Sequence, residues 1–203
     1  MVKLFIIKLF IINKMPNKYK ETTKNILFCL FAAGAIMVAA NSPFFLLNIA
    51  REIKKNKKYI RKKIDERKIA KALERLKRNK VIILSEKYGK FKVELTEKGE
   101  RITKEIQLED MKIEKPDGWD EKWRIIIFDI PEKYKRRARD ALREKLQKTG
   151  FYQLQKSVWV HPYPCEKEIH FLCEFFDITS YVNIITANNI YNDIKLRKYF
   201  KLL

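Results

Sequence analysis

The apolar run WRIIIF at residues 123–128 stops at Asp129-Ile130-Pro131, and that stop constrains the fold more than any other feature of the chain. Nearly continuous Ile and Phe reads as a strand buried on both faces, here over residues 123–130. Proline cannot donate to a ladder, so the sheet must end and the chain must turn. A basic helix is expected over residues 136–148. Ala138, Ala141, Leu142 and Leu146 line one side, and Arg136, Arg137, Arg139 and Arg143 dominate the rest.

Gly150 ends that helix. Residues 151–154 and 157–161 read as two further strands with a tight turn at Gln155-Lys156. A second amphipathic helix over 166–175 and a strand over 181–187 complete the order β-α-β-β-α-β, that of a ferredoxin-like α+β domain. The tail, NDIKLRKYFKLL, is expected to form a helix or edge strand that packs on a partner.

Charge bounds the partner. The formal net charge is +20, with 46% hydrophobic residues, which describes a foldable chain with a strongly cationic surface. Such a surface attracts polyanions, either nucleic acid or anionic membrane. Over half of the excess lies in residues 51–80, where fifteen Lys/Arg face four acids, a net of +11. The run is patterned: Asp65 can cap a helix reaching about Arg78, with Ile69, Ala72, Leu73 and Leu76 as its apolar stripe. Arg67, Lys71 and Arg78 then project from the opposite face, with Lys68 and Arg75 on the flanks.

VIILSEKYGKFKVELT follows as two strands, about 81–85 and 91–95, around a turn containing Gly89. Its tip, Lys87-Tyr88-Gly89-Lys90, is basic and aromatic, and a short closing helix is expected over 96–106. Helices, a basic helix, a basic hairpin and a closing helix make a winged helix-turn-helix over residues 26–106. ALERLKRNKVI and GKFKVELTEKG resemble that family's recognition helix and wing. An α-helix fits the DNA major groove, where Arg and Lys reach guanine or phosphate. Lys87, Lys90 and Lys92 would hold the adjacent backbone. The partner expected is double-stranded DNA; the bland alternative is a solvated amphipathic helix.

Other segments are less decisive. Residues 1–25 read as an N-terminal extension, with Met15 a candidate start and no small-residue cleavage site. ILFCLFAAGAIMVAA at 26–40 is uncharged but falls short of the ~20 apolar residues of a membrane span. It is read as part of a buried helix pair, with Ser42 as N-cap and Pro43 in the first turn of the second helix; a span is the weaker alternative. QLEDMKIEKPDG, within 107–119, reads as a linker to a domain over 120–203. Cys29, Cys165 and Cys173 form no disulfide framework, which points to a reducing cytoplasm. His161, Cys165, His170 and Cys173 match no common zinc spacing and read as buried thiols.

FDIP, the Arg-rich helix, the Gly-Phe turn and LQKSVWV closely resemble the small CRISPR-associated adaptation endonuclease, a ferredoxin-like dimer. A winged helix placed before such a domain resembles the phenylacetate-catabolism repressor family (PaaX-like), here in a short form ending near Leu203. The resemblance implies a dimeric DNA-binding regulator. It carries over no phenylacetyl-CoA effector, and no cofactor is expected. It also places Asp129 where the nuclease family holds its metal. Asp129 from two subunits would flank one Mg²⁺ or Mn²⁺ in a spacer-acquisition endonuclease, the second functional reading. The alternative for Asp129 is a turn residue capping the following helix. Arg136, Arg137 and Arg139 would either contact phosphates near Asp129 or pair with Asp140 and Glu144.

Overall fold

The computed structural model describes residues 19–39, 44–55 and 65–203. The expected Ser42–Pro43 helix start, most of the N-terminal extension and the cations between 57 and 63 lie outside them. The fold is α+β, with two antiparallel sheets. The described chain divides into an N-terminal unit ending at Glu109 and a C-terminal unit beginning at Asp110.

In the N-terminal unit, α1 (Glu21–Ala33) buries Ile26, Leu27 and Leu30. It ends at Gly34, whose φ of 70° is one that side-chain-bearing residues rarely adopt. The apolar run then continues as a strand, β1 (Ala35–Ala39). The expected second half of a buried helix is therefore a strand. Val38 packs in the core, and Ile36 packs partly buried against it. At 13 residues α1 is about 20 Å long, short of a ~30 Å hydrocarbon core. Among the described residues, no helix is long and apolar enough to cross a membrane.

Helix α2 (Phe45–Lys55) buries Ile49, Ala50 and Ile53. Helix α3 (Glu66–Arg78) buries the expected stripe of Ile69, Ala72, Leu73 and Leu76. The Asp65 side chain accepts from the Arg67 backbone N–H at 3.0 Å, so it caps α3 as its position required. Strands β2 (Ile82–Lys87) and β3 (Lys90–Leu95) form a hairpin, and β1 adds on the far side of β3 to give the order β1-β3-β2. Phe91, Val93 and Leu95 turn inward while Lys90, Lys92 and Glu94 turn outward, the alternation a half-buried strand demands.

Helix α4 (Glu97–Asp110) runs four residues past its expected end, so the first part of the expected linker is helical and Leu108 is fully buried. Its start is tied down by Thr96, whose hydroxyl accepts from the Gly99 N–H at 3.1 Å. Gly99 is a packing requirement. A Cβ there would lie 2.1 Å from the Val81 carbonyl oxygen.

In the C-terminal unit, β4 (Trp123–Phe128), β5 (Tyr152–Gln155), β6 (Val158–His161) and β7 (Val182–Ala187) form an antiparallel sheet in the order β5-β6-β4-β7. Between them come α5 (Glu132–Lys148) and α6 (Glu166–Phe176). Helix α5 starts a turn before its expected onset, with a kink at Lys135, and closes at Gly150 with φ 91°. The buried face of α5 is Ala138, Ala141, Leu142 and Leu146; that of α6 is Ile169, Leu172, Cys173 and Phe176. Arg143 of α5 lies over the Phe128 ring at 5.7 Å, which places α5 on the Ile126–Phe128 side of the sheet. The tail forms α7 (Ile194–Phe200) and packs on this same unit: Leu196 and Phe200 join Trp123, Ile125 and Val160 on the other side. Of the expected helix or edge strand, the helix is what forms, and its buried side belongs to its own unit. This packing explains why β4 is buried along most of its length.

Gly99→Ala should destabilise the chain although alanine is the better helix former by about 1 kcal/mol. The close backbone approach sets the sign. Overpacking of this kind costs roughly 1–3 kcal/mol, read as a lowered thermal midpoint. An unchanged or raised midpoint would refute the packing argument.

Candidate nucleic-acid interface

The rotation of α3 is fixed by its buried stripe, and this decides where its cations go. Arg67, Lys68, Lys71 and Arg78 are exposed. Arg75 differs from them: its Nη2 donates to Thr23 Oγ1 of α1 at 2.8 Å, so it ties two helices together. At the start of α3, Glu66 bonds Lys54 at 3.3 Å and Arg51 at 3.2 Å, both from α2. Those bonds, Lys54's first, hold its carboxyl below the usual range. They leave the cations further along α3 without that acid as a partner.

The hairpin presents Lys90 to solvent, whereas Lys92 pairs with Glu94 on the same strand. That pairing reduces what Lys92 can offer a phosphate. Lys87 faces Lys90 across the end of the ladder; its side chain lies outside the described ones. Arg51, Glu52 and Lys55 of α2, not singled out from the sequence as site residues, line one groove with Asn48, Met37 and Lys90, and Lys55 pairs there with Glu52 at 2.7 Å. The signal was present in the i, i+3, i+7 spacing of Asn48, Arg51 and Lys55 on one helix face.

In the C-terminal unit, Asp129 is exposed at the end of β4, and its backbone N–H donates to the Tyr181 carbonyl at 3.0 Å. No side chain caps α5, so the expected Asp129 cap does not form. Arg139 is only 12% exposed in its side chain and is held by Glu132 and by Asp140, the latter at 3.2 Å. It is therefore committed to carboxylates. Arg136 is 73% exposed and 3.8 Å from Asp140; Arg137 is exposed. Among the described residues, no group of three or more His, Cys, Asp or Glu could hold a metal ion.

Three members of the His/Cys cluster, His161, Cys165 and Cys173, are buried core residues. Burial pushes the Cys165 thiol up to about 12 and that of Cys173 up to about 11, which makes thiolate formation costly. His170 is exposed on α6. His161 is buried among Phe151, Tyr163 and Phe200, with ring centroids 4.7, 5.6 and 5.7 Å away. Nearby, Arg124 makes a two-point bond to Asp120 at 2.7 and 2.6 Å and anchors the start of β4.

A four-stranded antiparallel sheet interleaved with two helices, carrying a carboxylate at a strand end and arginines on the next helix, defines the class of the C-terminal unit. Residues 116–198 match the family model of the PaaX protein central Cas2-like domain. Over this segment, and not beyond it, the chain is similar to the Cas2-like domain at the centre of PaaX proteins. No curated protein gives a significant match.

Burial lowers the His161 pKa to about 4 from an ordinary 6.5, outweighing the Tyr163 backbone bond that favours the charged form; Lys115 and Arg124 lower it further. The unfolded chain therefore binds the extra proton first. Stability should be complete above pH 6.5 and fall as pH drops through 6.5 to about 4, by about 3 kcal/mol if His161 acts alone. His161→Phe should flatten that slope in urea titrations taken at each pH. An equal slope in the variant would assign the loss elsewhere.

Proposed function

We propose that this protein is a cytoplasmic, dimeric DNA-binding regulator of the PaaX-like kind. Its N-terminal unit reads as a winged helix-turn-helix: the order α1-β1-α2-α3-β2-β3 puts a basic helix directly before a two-stranded wing. The β-α-β-β-α-β order of the C-terminal unit, with its β5-β6-β4-β7 sheet, is that of a ferredoxin-like domain, assigned here mainly to dimerisation. One observation carries the reading. The row Arg67, Lys68, Lys71 and Arg78 faces solvent on a helix whose opposite side is locked into the core. Such a helix enters a major groove, and a two-fold dimer predicts pseudo-palindromic half-sites.

Binding to duplex DNA, followed by anisotropy across a salt series, should weaken as salt rises. Removing one phosphate-binding cation, in Lys71→Ala or Arg67→Ala, should reduce the slope of log K against log salt by about 0.9. Arg75→Ala should behave differently, lowering thermal stability because the hydrogen bond to Thr23 is gone. A flat salt response of the wild type would remove the DNA reading.

The exposed Asp129 carboxylate favours a second reading, a Mg²⁺- or Mn²⁺-dependent endonuclease acting in spacer acquisition. Because the described residues hold no group of three or more metal-ligating side chains, that metal would draw further ligands from a second copy, its Asp129 among them. Under the regulator reading, Mn²⁺-supplemented protein should cut double-stranded DNA and single-stranded RNA no faster than Asp129→Ala. Cleavage by the wild type alone would establish the nuclease instead.

A further inference from the structure

Strand β1 is one edge of the sheet β1-β3-β2. Its register partners all lie on β3, so among the described residues no strand takes up the backbone groups on its other side. Alternate residues of an antiparallel strand turn their N–H and C=O away from the partner, and on an edge those groups are open to another chain. Edge strands are ordinarily guarded by charges, proline or a bulge. The sequence AIMVA has no charge and no proline, and it pairs with β3 without a register shift. At the opposite edge, β2 carries Glu86 and Lys87. A groove of about 610 Å³ touches both Met37 and Val38 of β1. Successive strand residues point to opposite faces of a sheet, which places this groove at the strand's rim and not on one face. Its other wall is α2, whose Asn48, Arg51, Glu52 and Lys55 recur at helical spacing along one side.

The lining identifies the occupant. Three cations, Arg51, Lys55 and Lys90, stand against one acid, Glu52. Arg51 bonds Asn48 and Glu66, and Lys55 pairs with Glu52, yet the two cationic side chains are 57% and 72% exposed. Lys90 is exposed as well, and no acid among the described residues pairs with it. A phosphate backbone would meet the cations, but it gains nothing from Met37 and Val38 and has no N–H to offer a strand's carbonyls. A second copy of β1 would bring an uncharged strand to a cationic wall. An extended peptide with acidic side chains matches the open edge, the apolar contacts and the charge together. We propose that the groove accepts an extended acidic segment of a partner protein, which adds to β1 as a further strand and sets carboxylates against Arg51, Lys55 and Lys90. Backbone pairing supplies the affinity, and the cations select acidic over basic strands.

The test titrates the full chain into a short fluorescent peptide that alternates Glu and Val. This peptide should bind, and its Lys-Val counterpart should bind about tenfold more weakly or not at all. A strand edge engages only one side of an added strand. N-methylation of alternate residues along one side of the peptide should therefore abolish binding, while the same change along the other side leaves it intact. Lys90→Glu, at an exposed position, should weaken the acidic peptide about tenfold without moving the thermal midpoint. Failure of the Glu-Val peptide to bind overturns the proposal, and equal affinity for the Lys-Val peptide overturns the acidic partner. Equal effects of the two N-methylated forms overturn strand addition. Insensitivity to N-methylation together with displacement by duplex DNA assigns the groove to a phosphate backbone instead. A dimer that the acidic peptide dissociates in sedimentation assigns the edge to a second copy, which also overturns the proposal.

Discussion

The seam of Ile69, Leu73 and Leu76 on α3 is the contact on which the N-terminal unit depends. These three residues are essentially inaccessible to water, and they meet Ile26, Leu27 and Leu30 of α1 and Ile49 and Ile53 of α2. Fully burying a side chain of this size contributes on the order of 1.5–3 kcal/mol, which far exceeds any exposed ion pair around it. The helix therefore cannot rotate to satisfy its charges. Its charges accept the rotation that the core imposes, and a cationic row faces outward as a result. The Asp65 cap and the Glu66 bonds to α2 then set where that row begins.

The C-terminal unit is organised around β4. Its alternate side chains serve two cores: Trp123 and Ile125 meet α7, while Ile126 and Phe128 face the side that carries α5. A strand buried on both faces has no tolerance for slippage, because a one-residue shift would exchange the two sets. Arg124 is the polar exception. Only about 5% of it is exposed, yet its two-point bond to Asp120 and its bond to the Pro162 carbonyl hold the guanidinium at the strand's entrance. Asp129 follows the opposite end of the same strand, exposed between the buried Phe128 and Ile130.

Most of this was legible in the sequence because it rests on periodicity and on residues with few alternatives. The stripe of α3, the Asp65 cap, the Pro131 stop and the Gly150 helix end each follow from one local rule. What was not legible depended on distant partners. The tail could be read as amphipathic, but nothing local said that Trp123 and Val160 would receive it. Among the candidate site residues, charge alone could not separate Lys71, which faces solvent, from Arg75, which reaches Thr23, or Arg139, which is held by two carboxylates. Asp129 was expected to cap a helix, yet a proline at the cap position and an outward carboxylate leave that helix start without a side-chain partner.

Gly34 has a wider meaning than helix termination. Between Ile26 and Ala40 the chain has no charged residue, so composition offers no barrier to one continuous apolar helix. The barrier is a single backbone angle. By sending the second half of the run into a sheet edge, Gly34 divides one hydrophobic segment into two elements of different period. A run already short of a bilayer span at fifteen residues is thus halved again by a backbone conformation, not by a polar side chain.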